Sequence, residues 1–327
     1  MPGHDVTAQW GTDAEAAIAL AAERYSNWGR WGPDDGIGTA NFLDAQKRAG
    51  AGKLVRRGAS FSLSLPFDEN GPQNGWRRRV NPVHTMTSTG QDTAEQLGTP
   101  HGLSAADDVV FMPLQCSTQW DGLGHVFDHG VAWNGRVGAE VVTSEGDFAT
   151  GIERLAAPMV GRGVLLDAGR VLGGGELPDG YAITSADLEE VIRQQGETSS
   201  VGRGDIVLVR TGQLTRVRAG DGWGTYAGGP APGLSFETAG WLHDTEIAAI
   251  ATDTWGFEVR PNEFPGSFQP LHQVALPHIG LLVGEMWDLD ALAADCAADG
   301  VHEFFLAAQP LPFTRAVGSP VNPVAVK

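Results

Sequence analysis

Asp205-Ile206-Val207-Leu208-Val209-Arg210 is a short apolar run of β-branched and aliphatic residues closed by a charge at each end, which reads as a strand. Working outward from it, comparable runs bounded by Gly and Pro recur at Ala59 to Leu65, Val109 to Leu114, Gly163 to Asp167, Ala248 to Thr252, Ile279 to Val283 and Glu303 to Ala307. Helical patterns lie among them at Ser185 to Gln195, Ser235 to His243 and Asp288 to Ala298, each opening on Ser or Asp in the capping position. Strands and helices interleave without an internal repeat. The expected fold class is therefore α/β or α+β with a mixed sheet.

Further out, Thr12 to Tyr25 is rich in Ala and Glu and reads as a capped helix. It is followed by Asn27-Trp28-Gly29-Arg30-Trp31-Gly32-Pro33-Asp34-Asp35-Gly36, too rich in Gly and Pro for a regular element. Two tryptophans so close together predict a loop packed on the body of the protein. Leu172 to Gly180 and Ala219 to Pro232 are expected as surface loops. Gly173-Gly174-Gly175 has neither the GxGxxG spacing nor the Gly-Lys-Ser/Thr ending of a phosphate loop. No domain boundary stands out, so residues 1–327 are expected to form a single domain with an N-terminal helical and Trp/Gly-rich extension.

With 42% hydrophobic and 19% charged residues, the chain has enough apolar material for a sizeable core. No run of about 20 apolar residues occurs, and Met1 to Trp10 lacks the basic-then-apolar order of a secretory signal, so a soluble cytoplasmic protein is expected. The net charge of −18 opposes a phosphate backbone, and Arg77-Arg78-Arg79 is the one dense basic cluster; nucleic acid is not an expected partner. Cys116 and Cys296 show no paired spacing and are expected as reduced, buried thiols.

Chemistry concentrates in Gln115-Cys116-Ser117-Thr118-Gln119-Trp120-Asp121-Gly122-Leu123-Gly124-His125-Val126-Phe127-Asp128-His129, directly after an expected strand. Asp121, His125 and His129 recur every four residues and would share one face of a helix, although Gly122 and Gly124 oppose one. Carboxylate with imidazole suits a divalent cation or a proton-transfer site. A second cluster, His272, His278 and Glu285, lies late in the chain and could complete such a site.

The first of these segments resembles a variant of the cyclase-family signature HxGTHxDxPxH, with Gln115, Ser117-Thr118-Gln119, Asp121 and His125 at its positions. The resemblance extends over Asn27 to Asn41, Asn81-Pro82-Val83-His84, Asp205 to Gly212, Asp253-Thr254, Pro270 to Leu289 and Gly318-Ser319-Pro320-Val321-Asn322-Pro323. It points to the longer branch of the family that includes bacterial kynurenine formamidases and isatin hydrolases. It implies a swivelling β/β/α domain with a mixed, barrel-like sheet, assembled as a homodimer or homotetramer. It also implies a Zn²⁺ or Mn²⁺ ion held at the positions of Gln115, Gln119 and Asp121 together with His272 and Glu285, and proton transfer at His125. In place of the two signature histidines this chain has Gln115 and Gln119, neutral oxygen donors that suit hard cations better than Zn²⁺.

The resulting expectation is a metal-assisted hydrolase of a small formamide, lactam or lactone substrate, arylformamidase-like. In it Asp121, His272 and Glu285 hold the ion and His125 serves as general base and then acid, with Asp121 assisting. His84, Trp120 and His129 are expected at the substrate, with Trp28, Trp31 and Trp223 as an aromatic wall. Two alternatives belong to other classes: a metal-independent acid–base cyclase or dehydratase, and a non-catalytic small-molecule-binding homologue.

Overall fold

The structure, a computed structural model, describes residues 6–327. Eleven strands build the main sheet and one hairpin beside it: β1 (Ser60–Ser62), β2 (Val83–Ser88), β3 (Asp107–Phe111), β4 (Gln119–Asp121), β5 (Val160–Asp167), β6 (Ile206–Arg210), β7 (Ala249–Thr252), β8 (Leu282–Glu285), β9 (Glu303–Ala307), β10 (Gly318–Pro320) and β11 (Val324–Val326). Nine of them form one mixed sheet in the order β1-β11-β9-β5-β6-β7-β8-β4-β10, curled into a half-barrel. The four central strands β5, β6, β7 and β8 run parallel, and the flanks are antiparallel.

The centre of the sheet is buried on both faces, which is why its strands read as continuous apolar runs. Val164, Val207, Val209, Ile250 and Val283 pack on one side with the helices α1 (Ala14–Tyr25), α2 (Ser185–Gln195) and α3 (Ala239–Asp244). Leu165, Ile206, Leu208 and Leu282 pack on the other side with α5 (Asp290–Asp299), Trp120, Trp287 and Phe304. Between them in sequence, α4 (Pro270–Val274) lies on the first face.

Most of the expected elements form. The side chain of Asp13 caps α1 by accepting from the Glu15 N–H, and α2 spans Ser185 to Gln195 with a reciprocal capping box between Thr184 and Asp187. Three expectations are corrected. The run after Ala275 is not a strand from Ile279: a π-helical turn, Ala275–Ile279, continues α4, ends at Gly280 and lets β8 begin only at Leu282. Val109 to Leu114 does not join the main sheet; β3 pairs only with β2 in a separate hairpin, where Val83, Val109, Val110 and Phe111 are exposed. The helix expected at Asp288 starts at Asp290 behind Leu289, with no side-chain cap.

Both cysteines are free and buried, and burial pushes each thiol up to about 11. Among the described residues no helix is long and apolar enough to cross a membrane.

Candidate metal centre and its cavity

β4 is only three residues long, yet it lies between β8 and β10 and is fully buried. Its alternation sorts the side chains. Gln119 stands opposite Glu285 and Asp121 opposite Val283, so Gln119, Asp121 and Glu285 share one face of the sheet. Trp120 takes the other face, where its indole N–H donates to the Ala308 carbonyl and its ring packs edge-on against Trp287, 4.8 Å between centroids. The partner opposite Trp120 must be glycine: a Cβ on Gly284 would come within 2.7 Å of the Trp287 indole nitrogen and 3.0 Å of the Trp120 ring.

His272 reaches the same face from α4. Glu258 fixes its ring: this carboxylate accepts from the backbone N–H groups of Leu271 and His272, at 3.1 and 3.0 Å, and from Nδ1–H of His272. With Nδ1 so engaged, Nε2 faces Glu285 Oε1 at 3.0 Å. Asp121, His272 and Glu285 are all buried and offer ligand atoms within 4.8 Å of one another, a possible metal site. Burial alone would lower the His272 imidazole, but the hydrogen bonds to Glu258 and Glu285 outweigh it and push it up to about 10. Burial, with the charge of Asp121 adding to it, pushes the Glu285 carboxyl up to about 6.

These residues fit a divalent cation. Three buried carboxylates, Asp121, Glu258 and Glu285, surround one imidazole, so negative charge remains to be balanced. Gln119 donates from Nε2 to both Asp121 and Glu285, at 3.1 Å each, while its carbonyl Oε1 is buried with no hydrogen-bond partner among the described residues. That oxygen is a spare neutral donor on the amide whose nitrogen contacts two carboxylates. Gln115 packs its amide over Gly318, the residue paired with Asp121, and so lies on the same face of the sheet.

His125 meets Asp121 without a helix. The chain turns back at Gly122, where the carbonyl accepts from the His125 N–H at 3.0 Å, and Gly124 lets Asp147 approach to where a Cβ would stand 2.1 Å from its Oδ2. His125 Nε2 then lies 3.7 Å from Asp121 Oδ1 and 3.4 Å from Arg79 Nη2. Burial lowers the imidazole; Asp121 opposes this, and the cationic Arg79 and His272 reinforce it. Since a guanidinium only donates, Nε2 presents its lone pair to Arg79. A cavity of about 410 Å³ opens at this ring, lined by Arg77, Arg79, His125, Phe127, Phe268 and Gln273 among others.

Several expected substrate contacts lie elsewhere. Trp120 is directed away by strand alternation. His84 is exposed in the hairpin and pairs with Asp108 at 2.8 Å. The side chain of His129 is 62% exposed, on a left-handed backbone (φ 47°), and pairs with Asp128 and Glu15. Trp28 stacks on His278, and Trp31 packs against Phe42 and Trp133; neither lines the cavity. Trp223 packs on Tyr226 and donates to the Asn70 carbonyl. His278, expected in the late cluster with His272 and Glu285, is instead buried on Asp128, 2.8 Å from its Oδ2. Glu258 and Arg79 are the residues touching this site that sequence reasoning missed. Glu258 has no motif around it, and Arg79 was visible only as part of a basic triple.

The putative-cyclase family model matches residues 61–259, more than half of the chain. A crystal structure described as a novel cyclase is 40% identical, covering 93% of this chain and 100% of that one at a TM-score of 0.82. The chain belongs to the cyclase family. Its fold is also that of isatin hydrolase A from Ralstonia solanacearum (15% identity, 82% of this chain and 92% of that one, TM-score 0.60). A predicted metal-dependent hydrolase from Bacillus stearothermophilus shares it as well (16% identity, 83% and 98%, TM-score 0.53). No curated protein matches the sequence.

Proposed function

We propose that the chain is a metal-assisted hydrolase of a small amide, formamide or lactam, or of a lactone. The observation that carries this reading is the convergence of Asp121, His272 and Glu285, from three separate segments, within 4.8 Å of one another and beside a neutral, partly open His125. Asp121, His272 and Glu285 would hold the ion, and a flip of the Gln119 amide, whose Nε2 now donates to both carboxylates, would turn its carbonyl towards the ion as a further donor. This oxygen-rich set with one imidazole favours Mn²⁺ over Zn²⁺. When bound, a divalent ion there supplies a nucleophilic water at neutral pH and polarises the substrate carbonyl.

The chain's own residues handle the protons and the positioning. Once a bound substrate draws Arg79 off it, the lone pair on His125 Nε2 is free to accept a proton from the attacking water, and the same nitrogen returns it to the leaving nitrogen or oxygen. The Asp121 carboxylate, 3.7 Å from Nε2, stabilises the imidazolium formed between those two steps. Glu258 keeps His272 in one tautomer and orientation by holding Nδ1–H. Phe127 and Phe268 give the cavity apolar walls.

A second reading is favoured by one observation. The Gln119 amide already donates to both carboxylates, an arrangement that also serves a metal-free acid–base cyclase or dehydratase. Elemental analysis of purified protein, followed by turnover of formanilides, isatin-like lactams and lactones before and after chelation, separates the two. Bound Mn²⁺ and activity lost on chelation are expected. Activity that survives in protein free of metal would falsify the metal-assisted reading.

A further inference from the structure

The basic triple has no place in the hydrolytic scheme, yet two of its members, Arg77 and Arg79, line the cavity. Arg79 is held over the Trp255 ring, 5.1 Å from its centroid, with Nη2 beside His125. Its Nη1 is buried with no hydrogen-bond partner among the described residues. A buried donor left unmade is costly, and a charged acceptor brought by a ligand recovers that cost. Arg77 lies at the rim with its guanidinium 4.6 Å from the Phe268 centroid. Arg77 and Arg78 both have left-handed backbone, φ 54° and 61°, uncommon for residues with a side chain and frequent at functional sites.

Arg260 packs behind them on Trp76 and Phe268 and also keeps a buried, unpartnered Nη1. The chain carries a net charge of −18, yet this cavity's lining holds two arginines and no carboxylate. Asp121 and Glu285 lie outside that lining. Such local reversal of charge favours an anion.

We propose that the cavity takes a small substrate bearing a carboxylate on a flat apolar body, with the Arg79 guanidinium turning to donate to the carboxylate, Arg77 closing the rim, and Phe127 and Phe268 against the body. The proposal rests on the reading of this cavity as the substrate site. Arg79 is thereby a specificity-determining residue: it selects acids over their neutral counterparts. A guanidinium–carboxylate hydrogen bond in a partly desolvated cavity is strong enough to separate the two by at least about tenfold in affinity.

The test is calorimetric titration of the full chain with benzoate and with benzamide, its neutral counterpart of the same shape. Benzoate is expected to bind at least about tenfold tighter in the wild type, and Arg79→Met to remove that advantage while leaving benzamide unchanged. Arg79→Lys, which keeps the charge but not the fork, should retain only part of it; it carries the comparison should Arg79→Met melt early. Equal affinities for the two probes, or an unaltered preference in both variants, would overturn the proposal. Loss of benzoate binding in Asp121→Asn but not in Arg79→Met would place the carboxylate on an ion and overturn it equally. Displacement of benzoate by equimolar inorganic phosphate would reassign the anion. The binding result stands apart from turnover: a wild type that prefers benzoate but hydrolyses none of formanilide, 2-formamidobenzoate, an isatin-like lactam and a lactone refutes the hydrolase and keeps the anion site.

Discussion

Two histidine–carboxylate clusters lie six residues apart in the late part of the chain, and they are built to opposite ends. His272 is buried among Glu258, Glu285 and, through Gln119, Asp121, so that carboxylates outnumber cations. At His278 hydrogen-bond donors outnumber the carboxylate they share. One carboxylate, Asp128, accepts from His278 at 2.8 Å and from Gln273 and His129 at 2.7 Å each, and Trp28 stacks on the His278 ring. Residue types are alike, but only the first cluster leaves buried charge for an ion to balance. Capacity for metal follows from uncompensated charge, not from the number of histidines and acids in a segment.

The largest effect that sharpens this contrast should come from Glu285→Gln. It removes one of two carboxylates facing His272 and is expected to abolish metal retention, lowering turnover to the level of chelator-treated protein. Elemental analysis and kinetics on one preparation check it, and a variant that keeps both metal and rate would break the comparison. Next is His125→Asn. Positioned acid–base help is worth about 100- to 10,000-fold, so kcat should fall within that range with metal content and melting temperature unchanged. The base must be deprotonated to act. Because burial lowers the imidazole, the acid limb of the wild-type profile should fall below the ordinary 6.5 and be absent from the variant.

Glu258→Gln acts at one remove. It touches no substrate, yet it loosens the Nδ1–H anchor of His272, and changes of this kind cost about 10- to 100-fold in metal affinity. The expected signature is activity restored by excess Mn²⁺, which titrations of rate against metal concentration would show. A deficit that no metal concentration repairs would make Glu258 purely structural.

Legibility followed burial. The strands β5, β6 and β7 are buried on both faces, so continuous apolar runs marked them, and Thr184 to Gln195 carried its own cap. Asp121, His272 and Glu285 were legible through the signature and its late partners. The spacing of Asp121, His125 and His129 misled, because a four-residue recurrence says helix only where the backbone allows one; here a strand ends at Asp121 and a turn comes next. Trp120 misled for a related reason: within β4, neighbouring side chains face opposite sides, and which side is the site depends on pairing with β8. Glu258 and Arg79 depend on long-range contacts that no local pattern records.

The smallest expected effect probes the second cluster. Burial alone would raise Asp128, but hydrogen bonds from His278, Gln273 and His129 hold its carboxyl down at about 2, against an ordinary 3.8. A carboxyl depressed in the folded state contributes stability that is fully present above its ordinary pKa and is lost as pH falls towards the folded value. That difference corresponds to at most about 2.5 kcal/mol, reduced because His129 is open to solvent. Asp128→Asn should therefore melt roughly 2–4 °C below the wild type at neutral pH, and the gap should narrow as the pH falls from about 4 to about 2. Turnover and metal content should not change, since the cluster touches neither the ion's ligands nor the cavity except through Gln273. Chelation gives the contrast its edge. If Asp128 held an ion, chelator would bring the wild type down to the variant's melting temperature; if hydrogen bonds satisfy it, as the geometry indicates, the gap between the two persists with and without chelator.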